Sequence, residues 1–457
     1  MNRGQFNHLL RNVPDFRRFL RVNEIDAIAE DFRKYPSVEQ MTIGKTVENK
    51  PLKMYSVGHG DKTALIIGVP HSDEPLGSLV TIYFVDWLVK HPEVDFFGWR
   101  WLIIPVLERR GMRMNEGWFG SWGSLVYTAK YYFREPTENQ YEWTFPFEYK
   151  SYKWVKSRPE SNAVKEIIKD EKPDLLCNLH HCGFYDTYFY FSRDLPEAYP
   201  RLRELSQNLG LPLSCSSPDV PFGKLLSPGF YQMYGLRDYI DYYSMYEPDN
   251  LLNMRRGSTS DEWYQDRIGG FSFNCEVPLL EPSVKKDSEV TEHKLQGLLE
   301  KRREKRAATI SYCIDVLNEL EPLFCFSDPV LLGAVLKHVA SAKWELEFSE
   351  AKIQAAGKRA ATNFEVYEND LMVDVADLLL LGQVWRVAET IRVNQSKTQA
   401  DIITARVDRK ITTLSKKTNA RGGFTPFPLQ KLIRMQLGSI LIITDVLSAR
   451  AIGDSKT

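Results

Sequence analysis

The chain has almost no net charge: 59 lysines and arginines against 60 aspartates and glutamates leave a formal −1. A nucleic-acid binder needs a basic face to neutralise phosphates, so the composition gives no support to a DNA or RNA partner. Cysteine is scarce too. The six cysteines (177, 182, 215, 275, 313 and 325) include no C-x-x-C pair, which removes a dithiol motif. Several lie in apolar strand-like stretches, as reduced and buried thiols do. Long apolar runs are also missing. A run such as 439–447 falls short of a bilayer span and is interrupted by charge. The first twenty residues hold no unbroken apolar segment and no small-residue cleavage site, so no signal peptide is read there. Together these absences predict a cytoplasmic location, with no membrane and no nucleic-acid partner.

What is present is a globular composition, 43% hydrophobic and 26% charged over 457 residues. That length exceeds one ordinary core, so two domains are expected. To about residue 280, strand and helix patterns alternate. Residues 22–36 have helical spacing and end at Pro36, and 39–58 read as a hairpin. Segments 63–69, 99–107, 174–179 and 271–277 are short and apolar on both faces, as strands covered by helices on both sides are. Helical patterns at 76–91 and 161–171 lie between them. The pattern predicts an α/β fold, with a mixed, mostly parallel sheet sandwiched by helices.

After Pro282 the pattern turns almost wholly helical, with one loop at 418–428. Ile310, Cys313, Val316, Leu317 and Leu320 space as in a bundle of three or more helices. The expected division is therefore a catalytic domain over 1–284 and an all-helical accessory region over 285–457. That region is a candidate for self-association. The basic run 301–306 (KRREKR) is read as a solvated helix face rather than a partner-binding patch.

In an open α/β sheet, ligands bind beyond the carboxyl ends of the strands. His71 and Glu74 follow the strand at 63–69. His180 follows that at 174–179, and Glu276 ends that at 271–277. Two histidines and a glutamate with one open position are a usual ligand set for hydrolytic zinc. A second glutamate is the group needed to take a proton from the attacking water and pass it to a leaving amine. Each residue alone reads more simply as a hydrogen-bonded core histidine or a solvated acid. Four suitable residues at three strand ends in one direction are much harder to attribute to chance.

At this point the chain resembles the zinc carboxypeptidase family over about residues 15–285. The resemblance runs from the helix ending in KYP and the hairpin TIGKTVENKPLKMYSVG to the His-x-x-Glu motif in HSDEP and the strand LIIPVL. It continues with PDLLCNLHHCG, the loop GSTSDEWY and the strand FSFNCE. It implies an α/β/α catalytic domain, one Zn2+ per chain held by His71, Glu74 and His180, and Glu276 as general base and acid. His180 is preferred to His181 because it follows Leu179 directly, while strand alternation turns His181 to the other face.

The likeness breaks down at the substrate loop, 108-ERRGMRMNEGWFGSW-122. The family's carboxylate-binding Asn-Arg pair reads here as Asn115-Glu116, and an anion at that place repels a carboxylate. Arg113 is the candidate oxyanion donor among Arg109, Arg110 and Arg113. Asn115, Glu116, Arg256 and Asp261 are the candidate substrate-binding residues, with Asp261 at the pocket floor. Glu116 is also a candidate to orient a zinc-bound histidine, because Arg113 replaces the family's aspartate. The sequence thus predicts a metallocarboxypeptidase-like hydrolase, a metalloprotease acting on an amide bond of a peptide or amino-acid conjugate. The alternatives are an amidase or deacylase that needs no free C-terminal carboxylate, and a non-catalytic peptide-binding relative.

Overall fold

The computed structural model describes residues 3–216, 219–245, 255–395 and 398–454. The chain forms two compact units: Met1–Arg113 with Thr137–Leu279 and Phe427–Thr457, and Met114–Pro136 with Leu280–Pro426. This corrects the division expected at 284/285. Apolar spacing marks a helix but not its packing partner, and the last helix belongs to the first unit.

The first unit is built on one mixed sheet. Its order runs Val38–Lys45, Pro51–Val57, Trp99–Ile104, Lys62–Gly68, Leu175–Leu179, Phe271–Pro278, Tyr188–Phe191, Phe230–Gln232, Leu225–Ser227, with His181–Gly183 paired to the end of Phe271–Pro278. The four strands from Trp99–Ile104 to Phe271–Pro278 are mutually parallel. They are the four apolar segments singled out in the sequence. Leu65, Ile67, Leu102, Ile104 and Leu176 face one core with Val164 and Ile168 of the helix Pro159–Glu171. The helix Leu76–Lys90 is buried around nearly its whole circumference, as an element apolar on all sides must be. It packs against the helix Leu429–Asp454.

That last helix also corrects the reading of 439–447. With Leu429, Leu432, Ile433, Met435 and Leu437 added, Leu429–Arg450 has a mean hydropathy of 1.5. It is long and apolar enough to cross a membrane, yet it is 72% buried inside the protein. A core helix meets the same criteria of length and composition.

The second unit gathers the helices Leu295–Leu320, Pro329–Ala356, Met372–Asn394 and Thr398–Gly422, with Leu125–Tyr131 from the earlier segment. A short π-helix, Tyr367–Leu371, precedes the third of these. The KRREKR run is divided between solvent and interior. Lys301 and Arg303 are largely exposed. Lys305 reaches Asp374 at 2.8 Å and Arg306 reaches Asp377 at 2.7 Å. Arg421 closes the network at 2.6 Å from Asp374 and pairs with Asp370. Because Asp374 is 1% exposed, removing it strands the facing cations. Asp374→Ala is expected to lower unfolding stability by on the order of 3 kcal/mol, measured by denaturant titration.

Candidate metal centre

The site lies where the sheet changes direction of winding. From Lys62–Gly68 the chain moves to Trp99–Ile104 on one side and later returns to Leu175–Leu179 on the other. Helical crossovers part at such a point and leave a crevice beyond the strand ends. His71 and His180 emerge from the two strands that border it.

The backbone turns sharply to deliver His71. Val69 has φ of 54°, a left-handed conformation that a β-branched residue rarely adopts and that costs on the order of 1–3 kcal/mol. Leu107 N–H donates to Gly68 O at 3.0 Å and Glu108 N–H to Val69 O at 3.1 Å, holding the turn. Glu74 N–H then donates to His71 O at 3.1 Å, which folds Glu74 back beside the histidine. Gly77 brings the following helix close to the neighbouring strand. A Cβ there would stand 2.8 Å from Leu179 Cβ, so a larger residue would push Glu74 away from His180.

His71, Glu74 and His180 are all buried and offer one donor atom each within 4.8 Å of one another. His180 Nδ1 lies 2.7 Å from Glu74 Oε2. His71 Nδ1 is buried with no hydrogen-bond partner. On the other side of the rings, both Nε2 atoms face one oxygen of Glu142, at 3.3 Å from His71 and 3.4 Å from His180. His180 Nδ1 is thus engaged by Glu74, and Glu142 approaches both rings at Nε2, although His180 Nε2 makes no hydrogen bond. An unpartnered imidazole nitrogen beside a carboxylate and a second imidazole fits zinc in type and number.

Glu142 is a buried acid at this cluster that the motifs did not reveal. Its carboxylate and the backbone just before it are both held. Tyr141 N–H donates to Glu108 Oε1 at 2.6 Å, Ser161 Oγ donates to Tyr141 O at 3.0 Å, and Ser260 Oγ donates to Glu142 Oε1 at 3.2 Å. Glu108 is itself paired with Arg158 at 3.0 Å, both nearly inaccessible. The acid that lies against both histidines is thus Glu142, from a different segment than the Glu116 expected there.

Electrostatics follow from crowding acids out of water. Burial pushes Glu142 upward, but His180 and His71 outweigh it and hold its pKa below the usual carboxylate range. Burial likewise opposes charge on His180, and Glu142 and Glu74 override it, raising its pKa well above the ordinary value. Glu276 has a pKa well above normal, first through burial, then through Glu74, Asp219 and Glu142, against the pull of His180. These influences place Glu276 within the same field as the cluster. Asp219 belongs to that field as well. Both Tyr188 and Tyr190 hydroxyls donate to its Oδ2, at 2.9 and 3.0 Å, and solvent reaches the residue.

The remaining candidates fare differently. Arg113 pairs with Glu48, and Arg109 with Asp26 at 2.5 Å. Asn115 and Glu116 fall in the second unit. Asn115 is fully buried; its Oδ1 accepts from Phe133 N–H at 2.9 Å and Trp118 Nε1 at 2.8 Å, and its Nδ2 donates to Phe133 O at 2.7 Å. That is a correction to its expected substrate role: it clamps local backbone. Asp261 is also corrected. At 2% exposure it presents no pocket floor; it accepts from Asn178 Nδ2 at 3.0 Å. Burial and then the neighbouring Glu142 lift its pKa to about 7. Arg256 stacks 5.0 Å from the rings of both Trp143 and Tyr239 and makes no ion pair among the described residues. His181 begins the strand His181–Gly183, opposite Val277.

Residues 25–114 match the family model described as zinc carboxypeptidase. That segment carries the His-x-x-Glu turn, and over it the chain is similar to the zinc carboxypeptidase family. Solved structures similar to the chain include a metallo-carboxypeptidase from Burkholderia cenocepacia, 16% identical, covering 56% of this chain and 60% of that one, with a TM-score of 0.35. Another is a metallo-carboxypeptidase from Pseudomonas aeruginosa in complex with (2-guanidinoethylmercapto)succinic acid, at 11% identity, 56% and 60% coverage and a TM-score of 0.35. Bovine thrombin-activatable fibrinolysis inhibitor in complex with tick carboxypeptidase inhibitor gives 14% identity, 56% and 86% coverage and a TM-score of 0.32. No curated protein matches the chain.

If Glu142 orients the two imidazoles, Glu142→Gln is expected to weaken zinc binding by about 10–100-fold with the fold retained. Competition against a chromogenic chelator measures the first, and circular dichroism checks the second.

Proposed function

We propose that the protein is a zinc-dependent hydrolase that cleaves an amide bond in a peptide or amino-acid conjugate. The observation that carries this reading is the convergence of His71, Glu74 and His180 within 4.8 Å, with Glu276 in the electrostatic field of Glu74 and His180. Zinc, when held by those three residues, supplies a Lewis acid that polarises the scissile carbonyl and acidifies water.

The protein's own groups do the rest. Glu276, in the field of Glu74 and His180, is the group we assign to accept a proton from the attacking water and return it to the leaving nitrogen. Glu142 lies against both imidazoles at Nε2 and is the group we assign to orient them. Tyr188 and Tyr190 hold the exposed Asp219, which we assign to a substrate group that donates hydrogen bonds or carries positive charge.

The reading as an amidase or deacylase gains from one specific observation. The side chains expected to grip a terminal carboxylate are occupied elsewhere: Asn115 by Phe133 and Trp118, Arg113 by Glu48. Arg256, stacked beside Glu142's neighbour Trp143, is the cation we assign to any acidic group of the substrate. A cytoplasmic location remains part of the proposal. A non-catalytic role is disfavoured because donor set and base are both retained.

Glu276→Gln is expected to keep its zinc and to lose about 10²–10⁴-fold in turnover. Metal analysis and assay of N-acylated dipeptides check both, and full activity in this variant would remove the mechanism. The same dipeptides with free and amidated C-termini separate the two readings: equal turnover supports the amidase, and loss on amidation supports the carboxypeptidase.

A further inference from the structure

The strands Leu175–Leu179 and Phe271–Pro278 pair in parallel through Asn178 and Asn274. Pairing resumes in the same register at His181 and Val277. The ladder is therefore open across Leu179 and His180 on one strand and Cys275 and Glu276 on the other. Those two open stretches carry the third metal donor and the general base.

Gln436, from the helix Leu429–Asp454, fills the opening. Its side chain is fully buried. Its Nε2 donates to His180 O and, at 3.2 Å, to Cys275 O. A primary amide has two N–H donors, and here each goes to a different strand. One turn further along the helix, Ser439 Oγ donates to Met435 O at 2.7 Å and lies 3.7 Å from Cys275 Sγ.

Packing alone gives no reason for an amide at this place. The neighbours Leu432, Ile433, Met435, Leu437 and Ile440 are all fully buried and apolar. Gln436 Oε1 is buried without any hydrogen-bond partner, and an unsatisfied buried oxygen is unfavourable. The side chain thus carries a cost that a hydrophobic residue would not.

We infer that Gln436 is a positioning residue of the metal centre: it fixes the separation of the strand ends that present His180 and Glu276, and so the last helix of the chain completes the site. This rests on the zinc reading above. It assigns to the C-terminal segment a direct part in the site, through carbonyls rather than through any side chain that meets substrate.

The test uses the full-length protein and Zn2+ itself as probe. Gln436→Met keeps length and apolar volume and removes both donors. It is expected to fold with an unchanged or raised melting temperature. Its zinc affinity, by chelator competition, should fall at least about tenfold, and the visible spectrum of its Co2+ form should shift. Ser439→Ala, on the same buried face, should keep wild-type affinity and spectrum. A folded Gln436→Met with wild-type affinity and wild-type Co2+ spectrum overturns the inference. Hydrogen exchange on the unmodified protein guards against a variant that fails to fold. Chelating the zinc should speed exchange over residues 432–440 and 180–183 and leave 372–394 unchanged, because coupling is reciprocal. Unchanged exchange over 432–440 overturns the inference while leaving the zinc reading intact. A wild-type protein that binds no zinc overturns both.

Discussion

The first unit is organised around an electrostatic problem: Glu74 and Glu142 are buried against two imidazoles, with the half-buried Glu276 in their field. Such a group is stable only if every charge meets an opposite one or a firm hydrogen bond. Glu142 answers part of this by facing both His71 and His180. The surplus of carboxylates around the two imidazoles makes this cluster a natural seat for a divalent cation. Much of the surrounding architecture serves to keep these groups in place. The left-handed Val69 turns His71 inward, and Gly77 admits the helix that carries Glu74 toward the next strand. Glu108 and Arg158, themselves a buried pair, anchor the backbone from which Glu142 projects.

Support of this depth has a chemical consequence. Buried imidazoles set between Glu74 and Glu142 have little room to turn, so their arrangement is largely set before any ligand arrives. Preorganisation of this kind lowers the reorganisation needed at the moment of reaction. The Ser260–Glu142 and Asn178–Asp261 bonds extend the support one layer further. Asp261, lifted to about 7, sits beside Glu142 without forcing a second full negative charge into the layer near neutral pH.

The donor set was legible because it follows simple rules. His71, His180 and Glu276 each close an apolar strand, and Glu74 lies one turn beyond His71. Parallel strands with helical crossovers bring such ends together. Glu142 was not legible, because it stands in an aromatic and polar stretch with no period. Its placement depends on bonds from residues 34 positions upstream and 118 downstream in the sequence. Asn115 misled for the opposite reason. Its motif spacing was suggestive, but spacing does not reveal that Phe133 and Trp118 use up its amide. The helical region was read correctly as helical and divided wrongly, since periodicity describes a helix's own faces and not the core they enter. Asp374 and Asp377 show the same limit: their partners lie in KRREKR, about seventy residues earlier, and nothing local marks the pairing.

The place of Leu429–Asp454 in the first unit bears on how the protein is made. A chain leaves the ribosome from its N-terminus at roughly 5–20 residues per second, and domains tend to fold as units. Here the strands for His71, His180 and Glu276 emerge long before the helix that packs against Leu76–Lys90. The second unit's helices are synthesised in between. The first unit must wait, partly assembled and with apolar surface uncovered, until its final segment arrives. Its long sequence separations also predict slow folding by contact order. A nascent chain of this protein therefore keeps apolar surface exposed until that helix packs, and the cluster of His71, Glu74 and His180 closes late.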